Sequence, residues 1–325
     1  MNKLNKSQWT SYWQESAAIN SFGPDNYNEE IASFWQHQLS GKNYSKLLDL
    51  ACGNGAISWL ANDIINTENP TTEITGVDFS NITPFSSLKR KPEDYPLLNF
   101  IGNTDIEALP FEDNSYDAAI SQYGIEYSNL DKTIAELSRV LKHKSSLYLL
   151  IHTHQSDIVK QSTKSLQQYE TILKQLKIHE DFQSLHTIIG AETNMQKVRN
   201  NPAFSLQSKV IESKLMPINQ IIKSNNNPPA LIAYKQQLIS RFSDQAISQG
   251  PAGRKESIEA ARRTFSDYIK RINDLKKIAL SDQAINKLIE SLNGQGFSIE
   301  NQQPLSQGKI ENIGLAIIAH RNQPA

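Results

Sequence analysis

The sequence predicts an α/β protein: a mostly parallel sheet with helices on both faces, helices ahead of it and a large helical insertion within it. Three observations carry that expectation. Strand and helix textures alternate from Lys46 to about residue 155, helical periodicity alone fills 156–280, and strand texture returns at the end.

Residues 4–41 read as two helices broken at "SFGPDNYN", where Gly23 and Pro24 punctuate and Asn26 or Asn28 is placed to cap the second. Gly41 closes that helix. "KLLDLA" is a buried first strand, and "AISWLANDII" then sets Ile57, Leu60, Ala61, Ile64 and Ile65 on one helical face. "TEITGVDFS", "PLLNFIG" and "YDAAISQYG" follow as strands two to four. "LDKTIAELSRVLKHK" repeats apolar residues at Leu130, Ile134, Leu137, Val140 and Leu141, an amphipathic helix, and "SSLYLLIHT" is the fifth strand. In 156–280 the plainest helix is "ESIEAARRTFSDYIKRINDLKKIAL". "DQAINKLIESLNGQGF" is a helix stopped by Gly294 and Gly296, and "FSIENQQPL" and "ENIGLAIIAHR" form a closing strand pair. The expected organisation is therefore 1–45 as a helical cap, 46–155 as the sheet core, 156–280 as an insertion and 281–325 as the end of the core.

The composition is that of a globular chain, with 38% hydrophobic and 21% charged residues and a net charge of −1 over 325 residues. That balance gives no global attraction to nucleic acid or to a membrane surface. The insertion holds 19 Lys+Arg and 11 Asp+Glu, the remainder 14 and 23. Solvated helix faces explain the difference, as does attraction of an anionic substrate. One cysteine, Cys52, leaves no intramolecular disulfide and suits a reducing compartment. No stretch approaches the ~20 apolar residues of a membrane span, and the N-terminus lacks the apolar centre of a signal peptide. The expectation is a cytoplasmic location without metal or membrane partners.

The chemistry concentrates at strand ends. In "DLACGNG", Gly53 and Gly55 allow a ligand to approach the backbone closely. A dinucleotide fingerprint wants a third glycine where Ser58 stands, and the Gly-Lys-Ser/Thr of a phosphate loop is absent. Asp49 at the end of the first strand repels pyrophosphate and suits an ammonium group. Asp78, ending the second strand in "GVDFS", is placed to accept from an unphosphorylated ribose.

"LLDLACGNG", "ITGVDFS" and "TDIEALPFEDNSYDAAIS", in this order and spacing, resemble the leading motifs of class I S-adenosylmethionine-dependent methyltransferases of the small-molecule type. The resemblance covers 46–155, extends to 281–321 and leaves 156–280 unmatched. It implies a Rossmann-like sheet of seven strands with an antiparallel last strand, and S-adenosylmethionine as cofactor. Asp49, Ala51, Gly53 and Gly55 would surround the methionine part and Asp78 would hold the ribose. Phe79 and Ile106 would pack on the adenine, Asp105 would accept from its amine, and Ser121 would complete the cofactor set. Ala51 stands where the family often has glycine, and Asn103 and Thr104 are two residues more than usual before Asp105. Trp13, Phe22 and Tyr27 are placed to close over the cofactor, as leading helices do in this family, and equally to serve in the core or at the surface.

Methyl transfer needs alignment and a group that removes the acceptor's proton. Past the fourth and fifth strands lie "SQYGIEYS" and "IHTH", so Tyr123, Glu126 and His152 are the catalytic candidates, with Tyr127 and His154 beside them. Alternation puts both histidines on one side. Glu126 is equally placed to cap the next helix, and the histidines to pack. "NNPPA" at 226–230 resembles a motif of nucleic-acid amine methyltransferases but lies in the insertion and ends in Ala230, which cannot stack on a base. The expected partner is a small-molecule acceptor, anionic or carrier-bound, methylated on O or N, with the insertion as lid or homodimer element. The alternatives are an RNA or protein methyltransferase and a non-catalytic binder of the same cofactor.

Overall fold

The computed structural model describes residues 5–15, 19–20, 26–27, 29–68, 71–225 and 228–322. Helices α1 (Lys6–Glu15) and α2 (Glu29–Leu39) lead into β1 (Lys46–Leu50), α3 (Ala56–Glu68), β2 (Glu73–Val77), the short α4 (Pro84–Ser87), β3 (Leu98–Ile101), β4 (Tyr116–Gln122), α5 (Leu130–Val140) and β5 (Leu141–Ile151). There follow α6 (Asp157–Thr171), α7 (Ile178–Ile189), α8 (Met195–Arg199), α9 (Pro202–Ser224), α10 (Pro229–Ser240), α11 (Asp244–Ser248) and α12 (Arg254–Ile278). Helix α13 (Asp282–Gly294) and the hairpin β6 (Phe297–Gln307) and β7 (Ile310–Arg321) end the chain.

The seven strands form one sheet in the order β3-β2-β1-β4-β5-β7-β6. The first five are parallel, and β7 runs antiparallel to β5 and β6. This is the Rossmann-like sheet of the expectation. Strand alternation feeds two apolar layers. Leu47, Ala118, Ile120 and Leu150 face Trp35, Leu39, Ile57 and Trp59, whereas Leu48, Leu50, Ala119 and Leu149 face Ile134, Leu137, Leu288 and Leu292. The direction of strand order reverses between β1 and β4, so the crevice of such a sheet opens at the carboxyl ends of these two strands.

Two compact units divide the chain: Met1–Lys160 with Leu275–Ala325, and Gln161–Asp274. The second is helical among its described residues and has its own core of Tyr169, Phe182, Leu231, Tyr234 and Phe265. Its helices begin where the local chemistry dictates. The Asn201 side chain accepts from the Ala203 N–H with Pro202 in the first turn, and Asn194 caps α8 in the same manner. Pro229, the second proline of "NNPPA", opens α10, while residues 226 and 227 lie outside the described residues.

One element differs from expectation. Helix α5 ends at Val140, and the "LKHK" read as its continuation starts β5. Leu141 pairs with Tyr116 and Ser146 with Ala118, so the residues between bulge out, with Lys144 at φ 65°. The polar bulge masked the start of the strand.

Candidate functional site

The turn after β1 is held by buried acids. Asp49 is almost fully buried, and its Oδ2 accepts from the Ser58 hydroxyl at 2.6 Å. Burial pushes the Asp49 carboxyl up to about 7, against the opposing pull of Ser58. Asp78 accepts from the Gly53 N–H (2.8 Å), the Ser80 N–H (2.8 Å) and the Ser80 hydroxyl (2.5 Å). A carboxylate has about four acceptor positions, so a hydroxyl reaching Asp78 takes the remaining one or displaces Ser80. Burial again raises its pKa, opposed by these donors.

Ala51, where the related pattern has glycine, sits at φ 54°. An L-residue there costs roughly 1–2 kcal/mol. Its methyl is accommodated because Gly124 opposes it: a Cβ on Gly124 would stand 2.6 Å from that of Ala51. The substitution at 51 thus fixes glycine at 124. Cys52 turns its thiol toward Gly76, and burial pushes the thiol pKa well up. It packs; it does not present a thiolate.

Gly53, at φ 54°, lies directly under the indole of Trp13, and a Cβ on it would come within 2.6 Å of Trp13 Cε2. Helix α1 reaches three strand-end loops. Asn54 Nδ2 donates to the Trp13 carbonyl (2.8 Å), the Asn81 N–H donates to Thr10 Oγ1 (3.0 Å), and Gln14 Nε2 donates to the Asn81 carbonyl (2.9 Å). Lys6 Nζ stands 5.6 Å over the Phe79 ring, which is itself 48% exposed, and Trp9 meets Tyr127 edge to face at 5.4 Å. Tyr27 packs at the margin of the core, while Phe22 lies outside the described residues.

The extra residues Asn103 and Thr104 stitch two loops together: the Asn103 N–H donates to the Ser80 carbonyl and the Thr104 N–H to the Asp78 carbonyl. The stitch leaves Asp105 exposed, with Oδ1 accepting from the Glu107 N–H at 2.9 Å, and Ile106 buried. Ser121 is fully buried and donates to the Leu50 carbonyl at 3.0 Å, tying β4 to β1.

The three catalytic candidates come together. Tyr123, at φ 57°, stacks its ring on the His152 imidazole with centroids 3.9 Å apart and planes 6° apart, and its hydroxyl donates to the Ile313 carbonyl at 3.1 Å. A tyrosine in the left-handed region is held against strain, as functional sites often require. Glu126 is 4% exposed, and its Oε1 accepts from the His152 backbone N–H at 2.7 Å. Burial pushes the Glu126 carboxyl up to about 7 and the His152 imidazole down to about 3. At neutral pH His152 is therefore neutral, and Glu126 is the group of the three that takes or gives a proton there. His154 departs from the expected alternation. Strand β5 stops at Ile151, and His154 is exposed with its N–H donating to the Leu280 carbonyl.

Pattern reading did not single out Ser58 as the partner of Asp49, Trp9 as the neighbour of Tyr127, or Gly124. Each acts through a contact that sequence order does not announce. Only Ser58 left a trace, as the residue standing in the place of a third glycine.

Comparison with known proteins adds a likeness over part of the chain. Residues 48–149 match the family model described as a methyltransferase domain. A 2-phytyl-1,4-naphtoquinone methyltransferase of Nostoc sp. is 31% identical over 132 residues, covering 40% of this chain and 55% of the relative. A demethylmenaquinone methyltransferase of Chlamydia pneumoniae is 33% identical over 123 residues, covering 36% and 49%. The chain thus spans about half the length of the curated relatives it matches. A geranyl diphosphate C-methyltransferase of Streptomyces coelicolor A3(2) aligns at 16% identity with a TM-score of 0.35, covering 46% of this chain and 64% of that one.

Proposed function

We propose, from the premise that residues 48–149 belong to the methyltransferase-domain family, that this chain transfers a methyl group from S-adenosylmethionine to a small hydroxylated acceptor of quinone type. The observation that carries the reading is the pairing of a strand-end cofactor cradle with a buried carboxyl, Glu126, tuned by burial to about 7. The naphthoquinone and menaquinone names of the relatives supply the acceptor class.

The residues present fit the cofactor. Gly53 and Gly55 both take left-handed backbone, and the Trp13 indole lies over Gly53, where a bound cofactor would displace it. Asp78 is fixed by three donors with acceptor capacity left over, which suits a ribose hydroxyl. When bound, S-adenosylmethionine supplies an electrophilic methyl on a sulfonium. This chain's residues would hold and orient it: Gly53 by its backbone once the Trp13 indole moves aside, Asp78 by its carboxylate, and Phe79 and Ile106 by their apolar surface. Glu126 Oε1 is anchored on the His152 N–H, leaving Oε2 to take the proton of the acceptor hydroxyl. A base with a pKa near 7 is half ionised at neutral pH, close to the optimum for general base work. The Tyr123 hydroxyl is committed to the Ile313 carbonyl, so Tyr123 is a positioning residue that holds the His152 ring flat.

Incubation with S-adenosylmethionine carrying a deuterated methyl, together with 1,4-naphthalenediol under nitrogen, tests the reading by mass spectrometry. Appearance of the labelled methyl on the diol is expected. Absence of donor binding by calorimetry would overturn the assignment of the cofactor, and donor binding with no labelled product would overturn that of the acceptor class.

A further inference from the structure

Buried polar atoms without a hydrogen-bond partner are rare in folded proteins and call for an explanation. In the sheet unit four of them belong to residues at the carboxyl edge of the sheet: Gln122 Nε2, Glu126 Oε2, His152 Nδ1 and Asn312 Oδ1. Gln122 ends β4, Glu126 lies in the turn after it, His152 follows β5, and Asn312 is near the start of β7. Because β7 is antiparallel to β5, with Leu315 opposite Ile151, its first residues lie at the carboxyl edge of the sheet. Tyr123 ties the four together. It follows Gln122 in the chain, stacks on His152, and donates to the carbonyl of Ile313, the residue after Asn312. Glu126 in turn holds the His152 N–H.

The two amides are fixed in orientation by the scaffold. The indole N–H of Trp35, fully buried in α2, donates to Gln122 Oε1 at 2.7 Å, which aims the amide NH2 away from that contact. The Asn312 backbone N–H donates to Asp157 Oδ2 at 3.1 Å and sets the base of its side chain. The set offers a donor from Gln122, an acceptor from Glu126, an amide from Asn312, and from His152 a neutral ring nitrogen able to take either part.

We infer that Gln122 and Asn312 are specificity-determining residues that, with Glu126 and His152, form a polar seat for an acceptor bearing two oxygens. This rests on the proposed methyltransferase function. The ionisable hydroxyl of the acceptor donates to Glu126 Oε2 while its second oxygen accepts from Gln122 Nε2. Leaving four buried polar atoms unpaired lowers stability, and the fold retains them because a ligand completes their hydrogen bonds. An acceptor with one oxygen leaves the Gln122 amide buried and unpaired, and a site built this way rejects the analogue that lacks the group.

Calorimetric titration of the full chain, loaded with S-adenosylhomocysteine, with 1,4-naphthalenediol under nitrogen and with 1-naphthol tests the seat. The wild-type protein is expected to bind the diol on the order of tenfold more tightly than the mono-ol, the effect of one hydrogen bond to a buried group. Gln122→Glu keeps the oxygen that accepts from Trp35 but removes the NH2 donor, so it is expected to abolish the preference with donor affinity unchanged. Asn312→Leu is expected to weaken the diol and to leave the thermal midpoint equal or raised, because no existing side-chain hydrogen bond is lost. Equal binding of the two naphthols, no binding of either, or a preference that survives both substitutions would overturn the seat. So would a fall in the midpoint of Asn312→Leu. Failure of the wild-type protein to bind S-adenosylhomocysteine would strike the methyltransferase reading instead.

Discussion

Glu126→Gln is expected to make the sheet unit more stable at alkaline pH while removing the proposed base. A carboxyl whose pKa rises from 4.5 unfolded to about 7 folded is penalised only when ionised. The penalty is absent below about pH 4.5, grows between 4.5 and 7, and is fully present above 7. A shift of about 2.5 units corresponds to roughly 3 kcal/mol of lost stability at pH 8.5. The amide keeps an oxygen to accept from the His152 N–H, so the anchoring contact survives. For a unit of about 200 residues, 1 kcal/mol moves the midpoint by about 2–4 °C, so the variant is expected to melt about 6–12 °C higher at pH 8.5. At pH 4.5 the difference should vanish. Thermal unfolding of both proteins followed by circular dichroism across that range checks this. Measuring the difference between the two proteins cancels the groups whose pKa is held low, such as Asp117 beside Lys142 and Glu136 beside Arg139. A stability difference independent of pH, or a variant less stable at pH 8.5, would refute the assignment of Glu126 as a buried, unpaired acid.

Gly124→Ala is expected to lose about 1–3 kcal/mol through overlap with the Ala51 methyl, and Ala51→Gly in the same chain to restore most of it, read as shifts of the denaturant midpoint. Asp78→Asn is expected to weaken S-adenosylmethionine binding at least ~10-fold by calorimetry, the effect of removing a charged acceptor from a hydroxyl, with the circular dichroism spectrum retained; unchanged affinity would sink its role at the ribose. Gly53→Val is expected to abolish donor binding, because φ 54° disfavours a branched side chain and the Trp13 indole lies where the new atoms would go. Trp13→Ala added to Gly53→Val should restore part of the stability but not the donor affinity.

The sheet and the proposed cofactor cradle were legible because their signals are local. "DLACGNG" carries the glycines that a left-handed turn needs, and Asp49 and Asp78 sit next to the strand ends that place them. Glu126 and His152 were legible as candidates for the same reason, since both follow strands directly. Their tuning was not, because it comes from burial, which no short stretch encodes. The start of β5 was misread since its bulge exposes polar residues, so "LKHK" continued the helix's rhythm. Ala51 illustrates the deeper limit. Read alone it is a small-for-small exchange, but its methyl is accommodated by Gly124, a residue that lies next to it in space and distant from it in sequence.

The same limit explains the polar seat. Gln122 and Asn312 lie 190 residues apart and belong to no motif, and an amide at a strand end carries no pattern of its own. What marks them is one buried side-chain atom each without a partner, Gln122 Nε2 and Asn312 Oδ1, a property visible only once every neighbour is placed. A sequence rule finds residues whose role depends on their own backbone, such as Gly53, or on a fixed offset, such as Asp78. A residue whose role is to stay unsatisfied until a ligand arrives conforms to no such rule. The proposed cofactor half of the site is therefore readable from the chain, and the proposed acceptor half becomes readable from the fold.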